Sequence, residues 1–397
     1  MNCKMFYKKI AIFIGDYFWS SVPYDGLNLY IELIDKFDVD LLMFDKDIRL
    51  NKKFKGNEKF YFNKENFTKI KNLKTLSSWE DLIKISKDYS LLLSATHIAP
   101  KTRYPNNLNS LQCAWAIWDV GGNDALVNCK PDNKDRNFAP NFFFLKGEIW
   151  KRWLYEIKNK TNNAKHFAFS TGSPHYDYYL ENAPLKFGKI MSKEKFVSKY
   201  KLDKNKNFIL ITPSNPGASK HNDQFTENES VLSFLNHESH QSDYEILLKT
   251  YPHDYIFYES QTEYSGIYHR KAADAPQYEN IIKNFPNIKI VDSQDHFAAV
   301  KFCNKIFNIS GSSISWETYF TNSICFSMNF SNKPYFNGYK YLPNIKVPDS
   351  DMNYEIFQPQ DIFNTVNVNK NSCDGFISKE YSLKNIKNTI EYILEQC

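Results

Sequence analysis

The feature that most constrains the fold of this chain is a repeated alternation of short apolar runs with amphipathic stretches. The run KIAIFIG at Lys9–Gly15 is followed by Gly26–Phe37, in which apolar residues recur at helical spacing. Short apolar runs that alternate with helical patterns are typical of parallel strands covered by helices. The alternation therefore predicts an α/β fold built on parallel sheets.

The predicted strands fall into two groups, which a charged helical stretch at 188–206 separates. The first group consists of Lys9–Gly15, Asp38–Phe44, Tyr89–Ala95, Gln112–Trp118, Phe142–Leu145 and His166–Ser170. The second group consists of Phe208–Thr212, Tyr244–Lys249, Ile288–Val291, Lys305–Ile309 and Ser323–Ser327. A chain of 397 residues also exceeds what one hydrophobic core usually holds. We therefore predict two Rossmann-like domains that face a central cleft, 1–185 and 186–380, and a helix in 381–397 that packs on the body.

Charge, cysteine usage and hydropathy argue against several classes of protein. The 50 basic and 45 acidic side chains leave a net charge of +5, which is too dilute to indicate a nucleic-acid partner. The seven cysteines form no C-x-x-C pair, so we expect reduced thiols rather than a zinc site. The amino terminus lacks the pattern of a secretory signal, and no apolar stretch is long enough to cross a bilayer. We therefore expect a cytoplasmic protein whose contact with the inner face of the membrane is at most peripheral.

Candidate binding residues of the second domain lie in loops that follow predicted strands, where ligands of open parallel sheets collect. The segment NISGSSISWETY at 308–319 leads from a strand into a helix through hydroxyl and glycine residues, which suits a phosphate or an ordinary serine cap. Lys249 ends a strand and is followed by His253, and both suit a phosphate or a solvated turn. The loop within 208–224 adds Asp223, which suits a base, a nucleophile or a turn.

Four loops of the first domain also follow predicted strands. These loops are Gly15–Gly26, Trp118–Asp124, Gly147–Glu148 and Thr171–Asp177. We take Asp16, Asp119 and His175 as candidate acceptor-binding residues and Glu148 as a candidate catalytic residue, although turn chemistry explains these residue types equally well. The glycine clusters lack the spacing of a dinucleotide-binding motif or a P-loop, which argues against an NAD-dependent oxidoreductase and an NTPase.

The second half carries a recognisable order of segments. Lys249 to His253 follow a strand, Pro286–Asn287 precede a strand, and SGSS at 310–313 leads into a helix that contains Glu317. This order resembles the nucleotide-binding domain of GT-B glycosyltransferases over residues 205–345. More narrowly, it resembles the capsule polysaccharide family, which includes bacterial Kdo transferases, and the glycerophosphotransferases that build teichoic acids. Both groups use cytidine-activated donors, so the resemblance implies a cytidine nucleotide.

Three segments bear on the choice between these two groups. TGSPHYD at 171–177 is similar to the G-x-P-x-x-D of the teichoic-acid group, and Pro252–His253 reverses the His-Pro order that is usual in the capsule family. The stretch Ser310–Glu317 looks more like the SG-T/S-x-x-x-E of the capsule family than the D-Y-S-S of the teichoic-acid group. The resemblance therefore implies a glycosyltransferase of bacterial capsule or lipopolysaccharide O-antigen synthesis. Its expected reaction moves Kdo from CMP-Kdo to a glycan or a lipid-linked glycan.

The resemblance also implies roles for individual residues, with the donor in the second domain and the acceptor in the first. The residues expected at the donor nucleotide are Thr212, Ser214, Lys249, His253, Ser310, Gly311, Ser312, Ser313 and Glu317. Asp223 is the first candidate for the catalytic carboxylate and Glu148 the second, and His253 would stabilise the departing phosphate. This chemistry requires no metal and no cofactor besides the nucleotide-activated donor.

Two alternatives to this interpretation stay open. The first is a polyol-phosphate transferase that uses a donor of the CDP-glycerol type. The second is a non-catalytic glycan- or nucleotide-binding protein, in which the aromatic side chains, 16% of the residues, supply stacking surfaces. The sequence also leaves open whether the chain works as part of a larger polysaccharide-synthesis enzyme.

Overall fold

The computed structural model describes two compact units, each of which is presented by itself. The described residues are 8–15, 22–44, 70–95, 110–119, 140–161, 167–212, 229–249, 283–292, 295–308, 314–328, 354–356, 361–364, 375 and 377–396. The first unit comprises 1–189 together with 374–397, and the second comprises 190–373. The divisions therefore fall at 189–190 and 373–374, a few residues from the predicted 185–186 and 380–381.

The first unit is built on a sheet of seven parallel strands in the order β3-β2-β1-β4-β5-β6-β7. The strands are β1 Lys9–Gly15, β2 Asp38–Phe44, β3 Leu73–Leu76, β4 Leu91–Ala95, β5 Ala114–Trp118, β6 Phe142–Leu145 and β7 Phe167–Ser170. The strand order changes direction at β1, as it does in doubly wound Rossmann folds. The six strands predicted for this half are confirmed within two residues at each end, and β3 was not predicted.

Helices complete the first unit and bring the carboxyl-terminal segment back to it. The helices are Val22–Leu33, Trp79–Ser86, Glu148–Thr161, Pro174–Asp177 and Ser382–Gln396. The predicted terminal helix is present, and it packs against the helix Val22–Leu33. Ion pairs of Lys36 with Glu391 and of Lys387 with Asp35 join the same two segments at the surface.

The second unit is built on a sheet of six parallel strands in the order β10-β9-β8-β11-β12-β13. The strands are β8 Asn207–Thr212, β9 Tyr244–Lys249, β10 Ile288–Val291, β11 Lys305–Asn308, β12 Ile324–Met328 and β13 Tyr354–Ile356. The helices are Lys193–Tyr200, Glu229–Gln241, His296–Phe302, Ile314–Glu317 and Asp361–Asn364. The order changes direction at β8, so each unit has the Rossmann arrangement that the sequence predicts.

The burial of the strands explains why they could be recognised in the sequence. Ile10 to Ile14 of β1 are at most 1% exposed, and Ile209 and Leu210 of β8 are fully buried. Strands covered on both faces read as continuous apolar runs, because neither face of the sheet meets water. In the part of the chain that the structure describes, no helix is long and apolar enough to cross a membrane.

Candidate functional site

The carboxyl edge of the second sheet gathers polar side chains. All strands of this sheet run parallel, so their carboxyl ends lie along one edge. Thr212 ends β8 opposite Asn308 of β11, and Lys249 ends β9 opposite Val291 of β10. Since Ile211 pairs with Leu248, the next positions along these strands place Thr212 beside Lys249. Two of the predicted donor-binding residues are therefore neighbours in the last row of the sheet.

Lys249 and Thr212 are both largely withdrawn from water. Lys249 is 8% exposed and Thr212 is 4% exposed, and the Thr212 hydroxyl donates to the carbonyl of Phe307 at 3.4 Å. A lysine held in low-dielectric surroundings interacts more strongly with an anion than a lysine in water does. The row formed by Thr212 and Lys249 can therefore bind a phosphate at the place where the strand order reverses.

A buried histidine–glutamate pair lies on two helices that follow strands of the same sheet. Glu317, at the end of Ile314–Glu317, is fully buried, and His296, at the start of His296–Phe302, is 8% exposed. The Nε2 atom of His296 is 2.6 Å from Oε2 of Glu317, which is a short hydrogen bond. The bond fixes the direction of the Glu317 carboxylate, a potential acceptor for sugar hydroxyl groups.

The start of the helix that carries His296 is tied to the helix Lys193–Tyr200. The carboxylate of Asp295 accepts hydrogen bonds from the Lys199 ammonium and the Tyr200 hydroxyl. Burial and the bond to Asp295 raise the pKa of Tyr200 well above its usual range, so the hydroxyl stays protonated and can donate. The Tyr200 oxygen in turn accepts from the backbone N–H of Asp292 at 3.2 Å. His296 is consequently held on a fixed segment.

The carboxyl edge of the first sheet holds a buried ion pair. Asp119 follows β5 and Lys146 follows β6; they are 2% and 0% exposed. The Lys146 ammonium lies 3.9 Å from Oδ2 of Asp119 and 4.5 Å from the centre of the Trp150 ring. Burying both charges is costly unless they attract each other, and the ring face offers a further favourable contact for the cation.

The backbone around Asp119 and Lys146 is held on several sides. The N–H of Asp119 donates to the carbonyl of Phe144 at 2.9 Å, and the Ser173 hydroxyl donates to the carbonyl of Asp119 at 2.6 Å. The carbonyl of Lys146 accepts from the N–H of Ser378 at 2.7 Å. Bonds from three separated stretches of the first unit therefore fix the backbone at Asp119 and Lys146.

Two other candidate residues of the first unit, Glu148 and His175, lie in helices and are more exposed than Asp119 and Lys146. Glu148 begins the helix Glu148–Thr161, where its side chain is 41% exposed and its carboxylate pairs with Lys151 at 3.2 Å. His175 is half-buried in the helix Pro174–Asp177 and packs edge-on against Tyr176. The predicted site residues that lie outside the described part of the chain are Asp16, Ser214, Asp223, His253, Ser310, Gly311, Ser312 and Ser313.

Two site residues, Lys146 and His296, were missed in the sequence. Each stands shortly after a strand, Lys146 directly after β6 and His296 after β10. The rule that singled out Lys249 after β9 applies equally to both residues. What the sequence could not indicate was the partner of each residue, because Asp119 and Glu317 lie on other strand–helix connections.

No protein-family model matches this chain, and no curated protein matches it. Among solved structures, the UDP-N-acetylglucosamine 2-epimerase from Rickettsia bellii is similar with a TM-score of 0.55 and 12% identity, over 98% of this chain and 96% of that one. A putative UDP-N-acetylglucosamine 2-epimerase from Listeria monocytogenes is similar with a TM-score of 0.54 and 12% identity, over 99% of this chain and 98% of that one. A variant of the wall teichoic acid polymerase TagF has a TM-score of 0.52 and 12% identity, over 98% and 89%.

The chain has the GT-B fold. Two Rossmann-like units with parallel sheets are what this fold requires, and the similarity extends over nearly the whole chain. At 12% identity the similarity establishes the fold alone. Membership in the Kdo transferase family and the choice of a CMP-linked donor therefore stay predictions.

Proposed function

We propose that this GT-B protein is a transferase that binds a nucleotide-activated donor at the carboxyl edge of its second sheet. The observation that carries the proposal is the burial of Thr212 and Lys249 at the ends of the neighbouring strands β8 and β9, where the strand order changes direction. A buried ammonium next to a hydroxyl offers charge and hydrogen bonding to a phosphate. The Glu317 carboxylate, oriented by His296, would accept hydrogen bonds from hydroxyl groups of the same donor.

For the donor we propose a pyrimidine nucleotide. The segment order around Lys249 and 310–313 supports a cytidine nucleotide, with CMP-Kdo as the first candidate. The similarity to TagF supports a polyol-phosphate donor as the second candidate, since TagF is a teichoic acid polymerase. The similarity to two UDP-N-acetylglucosamine 2-epimerases supports a uridine nucleotide as the third.

For the acceptor we propose a glycan, bound at the carboxyl edge of the first sheet beside Asp119. An acceptor hydroxyl would attack the anomeric carbon of the donor while the bond from that carbon to the phosphate oxygen breaks. The nucleotide would leave with that electron pair, and the hydroxyl proton would pass to a carboxylate. Asp223 remains our first candidate for this carboxylate and Glu148 the second, with His253 at the leaving phosphate.

Nucleotide binding by the full chain is the first test of this proposal. Titration calorimetry with CMP, CDP, UDP and GMP should show binding of at least one pyrimidine nucleotide and weaker binding of GMP. Lys249→Met should weaken that binding about tenfold or more, because it removes a charge-assisted contact to phosphate. Lys305→Met is the matched control, since Lys305 is equally buried but begins β11 at the opposite edge of the sheet. Equal losses in both variants, or no binding of any pyrimidine nucleotide, would overturn the donor site.

Turnover is the second test and separates the transferase from a binding protein. CMP-Kdo, CDP-glycerol and UDP-N-acetylglucosamine are incubated with the protein and a bacterial surface-glycan acceptor, and nucleotide release is measured. A phosphodiester product would select the polyol-phosphate transferase, and a glycosidic product would select the sugar transferase. Asp223→Asn should abolish release while nucleotide binding persists, and His253→Ala should abolish release and also weaken nucleotide binding. Binding without turnover of any donor would favour the non-catalytic alternative.

A further inference from the structure

The segment TGSPHYD, which stands out in the sequence, connects the first sheet to the terminal helix. The N–H groups of Thr171 and Gly172 donate to the carbonyl of Leu145, which anchors the segment to β6. Gly172 has a φ of +85°, and a Cβ placed there would lie 2.9 Å from Cβ of Ser382. Asn385 of the terminal helix donates its amide to the carbonyl of Thr171 at 3.3 Å. The segment is therefore fitted closely around the start of the helix Ser382–Gln396.

Asp177, the last residue of the segment, caps the helix Ser382–Gln396, although the two are far apart in the sequence. Its Oδ1 accepts from the N–H of Ser382 at 2.9 Å, and its Oδ2 accepts from the Ser382 hydroxyl at 2.8 Å and the Leu383 N–H at 3.2 Å. The first N–H groups of a helix have no partner within the helix, so a carboxylate there satisfies donors that would otherwise be buried and unpaired. One side chain thus holds the start of a helix more than 200 positions away in the sequence.

The Asp177 carboxyl is buried beside a second buried carboxyl. Asp177 and Asp25 are each 1% exposed, and Tyr178 donates to Asp25 at 2.8 Å. Burial raises the pKa of Asp177 to about 7, the Asp25 charge adds to the increase, and the bonds from Ser382 and Leu383 oppose it. A carboxyl with this pKa gains or loses its proton near neutral pH.

The titratable groups that surround Asp177 come from three elements. Asp25 lies on the helix Val22–Leu33, Tyr178 on the turn that follows Asp177, and Tyr381 just before the terminal helix. Tyr381 is hydrogen bonded to Glu32 of the helix Val22–Leu33. Burial raises the pKa of Tyr178 and of Tyr381 well above the usual range, so both hydroxyls stay neutral near pH 7. Neither tyrosine therefore changes its charge near neutral pH.

The position of Asp177 along the chain gives this contact a wider consequence. The chain leaves the first unit after Lys189 and returns to it at Asp374. Asp177 lies shortly before the exit, and Ser382 lies shortly after the return. The contact between them fixes the first-unit ends of both connections to the second unit.

We propose that Asp177 is a proton-dependent clasp, which holds the terminal helix on the first unit more firmly when its carboxyl is protonated. When the helix detaches, Asp177 meets water and ionises at any pH above about 4. Reattachment near neutral pH must then either bury the charge or take up a proton. Attachment is consequently strongest below the pKa of the exposed carboxyl, weakens as the pH rises towards the folded-state pKa and levels off above it, which is the linkage expected for a raised carboxyl pKa.

Hydrogen exchange of the terminal-helix amides in the full chain tests the clasp. Opening of the helix should become about tenfold easier between pH 6 and pH 8, after correction for the intrinsic pH dependence of exchange. Asp177→Asn, which keeps the shape and carries no charge, should show less than about a twofold change over the same range. Asp35→Asn is the matched control, because Asp35 pairs with Lys387 of the same helix at the surface and should leave the wild-type change intact.

Two outcomes of this measurement would overturn the clasp. One is a wild-type helix whose opening does not change between pH 6 and pH 8, and the other is an equal change in Asp177→Asn. If Asp177→Asn fails to fold, the carbon chemical shift of the Asp177 carboxyl in the wild-type chain replaces it. An apparent pKa near 7 would support the clasp, and a value below about 5 would reject it.

Discussion

Each of the two edges of the first sheet contains a buried aspartate next to lysine, but the two groups differ in exposure and in hydrogen bonding. At the amino edge, Asp40 of β2 lies 2.6 Å from the Lys74 ammonium and 3.2 Å from that of Lys9, and Tyr89 donates to it at 2.7 Å. At the carboxyl edge, Lys146 is fully enclosed and 3.9 Å from Asp119. In the first cluster, two ammonium groups and a hydroxyl converge on Asp40 at a partly exposed rim, whereas in the second both charged side chains are enclosed.

The comparison shows what distinguishes a strand-joining cluster from a candidate site. Lys9 and Lys74 keep 32% and 46% of their side chains exposed, so solvent screens their attraction for Asp40. The cluster links β1, β2, β3 and Tyr89, which lies two residues before β4, at the edge where ligands of parallel sheets do not collect. Asp119 and Lys146 stand at the opposite edge, where burial makes each charge costly and where ligands of parallel sheets collect.

The largest expected effect is that of removing the enclosed cation. Lys146→Met removes the enclosed cation that faces the buried Asp119 charge, so the free energy of unfolding should fall by about 3–5 kcal/mol. Urea denaturation at pH 7 measures the loss. Asp119→Asn in the same chain should recover part of it, since it removes the charge that was left. Lys151→Met, at an exposed pair, should cost less than about 0.5 kcal/mol. A loss of less than about 1 kcal/mol for Lys146→Met would contradict the idea that the enclosed pair matters more for stability than an exposed pair does.

A smaller effect is expected from the strained turn after β7. Gly172→Ala should lower the free energy of unfolding by about 2–3 kcal/mol, because alanine is disfavoured at a positive φ and its Cβ meets Ser382. Gly375→Ala shares the positive φ but meets only the side chain of Ile149 at 3.2 Å, so it should cost less. Denaturation curves of both variants separate the backbone strain from the close contact. An equal loss of unfolding free energy in the two variants would show that the close contact with Ser382 does not add to the cost of Gly172→Ala.

The amino-edge cluster should show a dependence on pH of the opposite sign to that of Asp177. Burial opposes ionisation of Asp40, but hydrogen bonds from Lys74, Tyr89 and Lys9 lower its pKa below the usual range. A lowered carboxyl pKa stabilises the fold above the unfolded-state pKa and loses that contribution as the pH falls through the folded one. Asp40→Asn should therefore cost about 1–2 kcal/mol at pH 7 and progressively less below about pH 4. A cost that does not depend on pH would contradict this role.

The smallest expected effect is that of one neutral donor at the same cluster. Tyr89→Phe removes the hydroxyl that donates to Asp40 and should lower the free energy of unfolding by about 1 kcal/mol. Burial and the Asp40 charge raise the pKa of Tyr89 well above its usual range, so the loss should be the same between pH 6 and pH 9. Nucleotide binding should stay unchanged in this variant, and a change would mean that the amino edge also serves the site.

The fold was largely predictable because its strands are buried on both faces. The runs at Phe142–Leu145, Tyr244–Lys249 and Ile288–Val291 have the bounds that the sequence indicated. Two strands were missed, β3 and β13. Leu73–Leu76 places two exposed polar residues between its leucines, and Tyr354–Ile356 is only three residues long, so neither has the apolar run by which the other strands were found. The site was predictable only in part. The sequence singled out Lys249, which ends a strand, and Asp119, which follows one, as candidates, but it did not single out the histidine that is hydrogen bonded to Glu317.

By itself, the sequence determined the α/β class, the division into two units and the loops in which chemistry is to be sought. These properties follow from the local spacing of apolar residues, which reports how many faces of each element are covered. Only the tertiary structure decided that Asp177 caps a helix from the far end of the chain, that Lys146 is enclosed with Asp119, and that His296 holds Glu317. Such partners are brought together by strand order and helix packing. The spacing of residues within one segment does not indicate which residues of other segments will contact it.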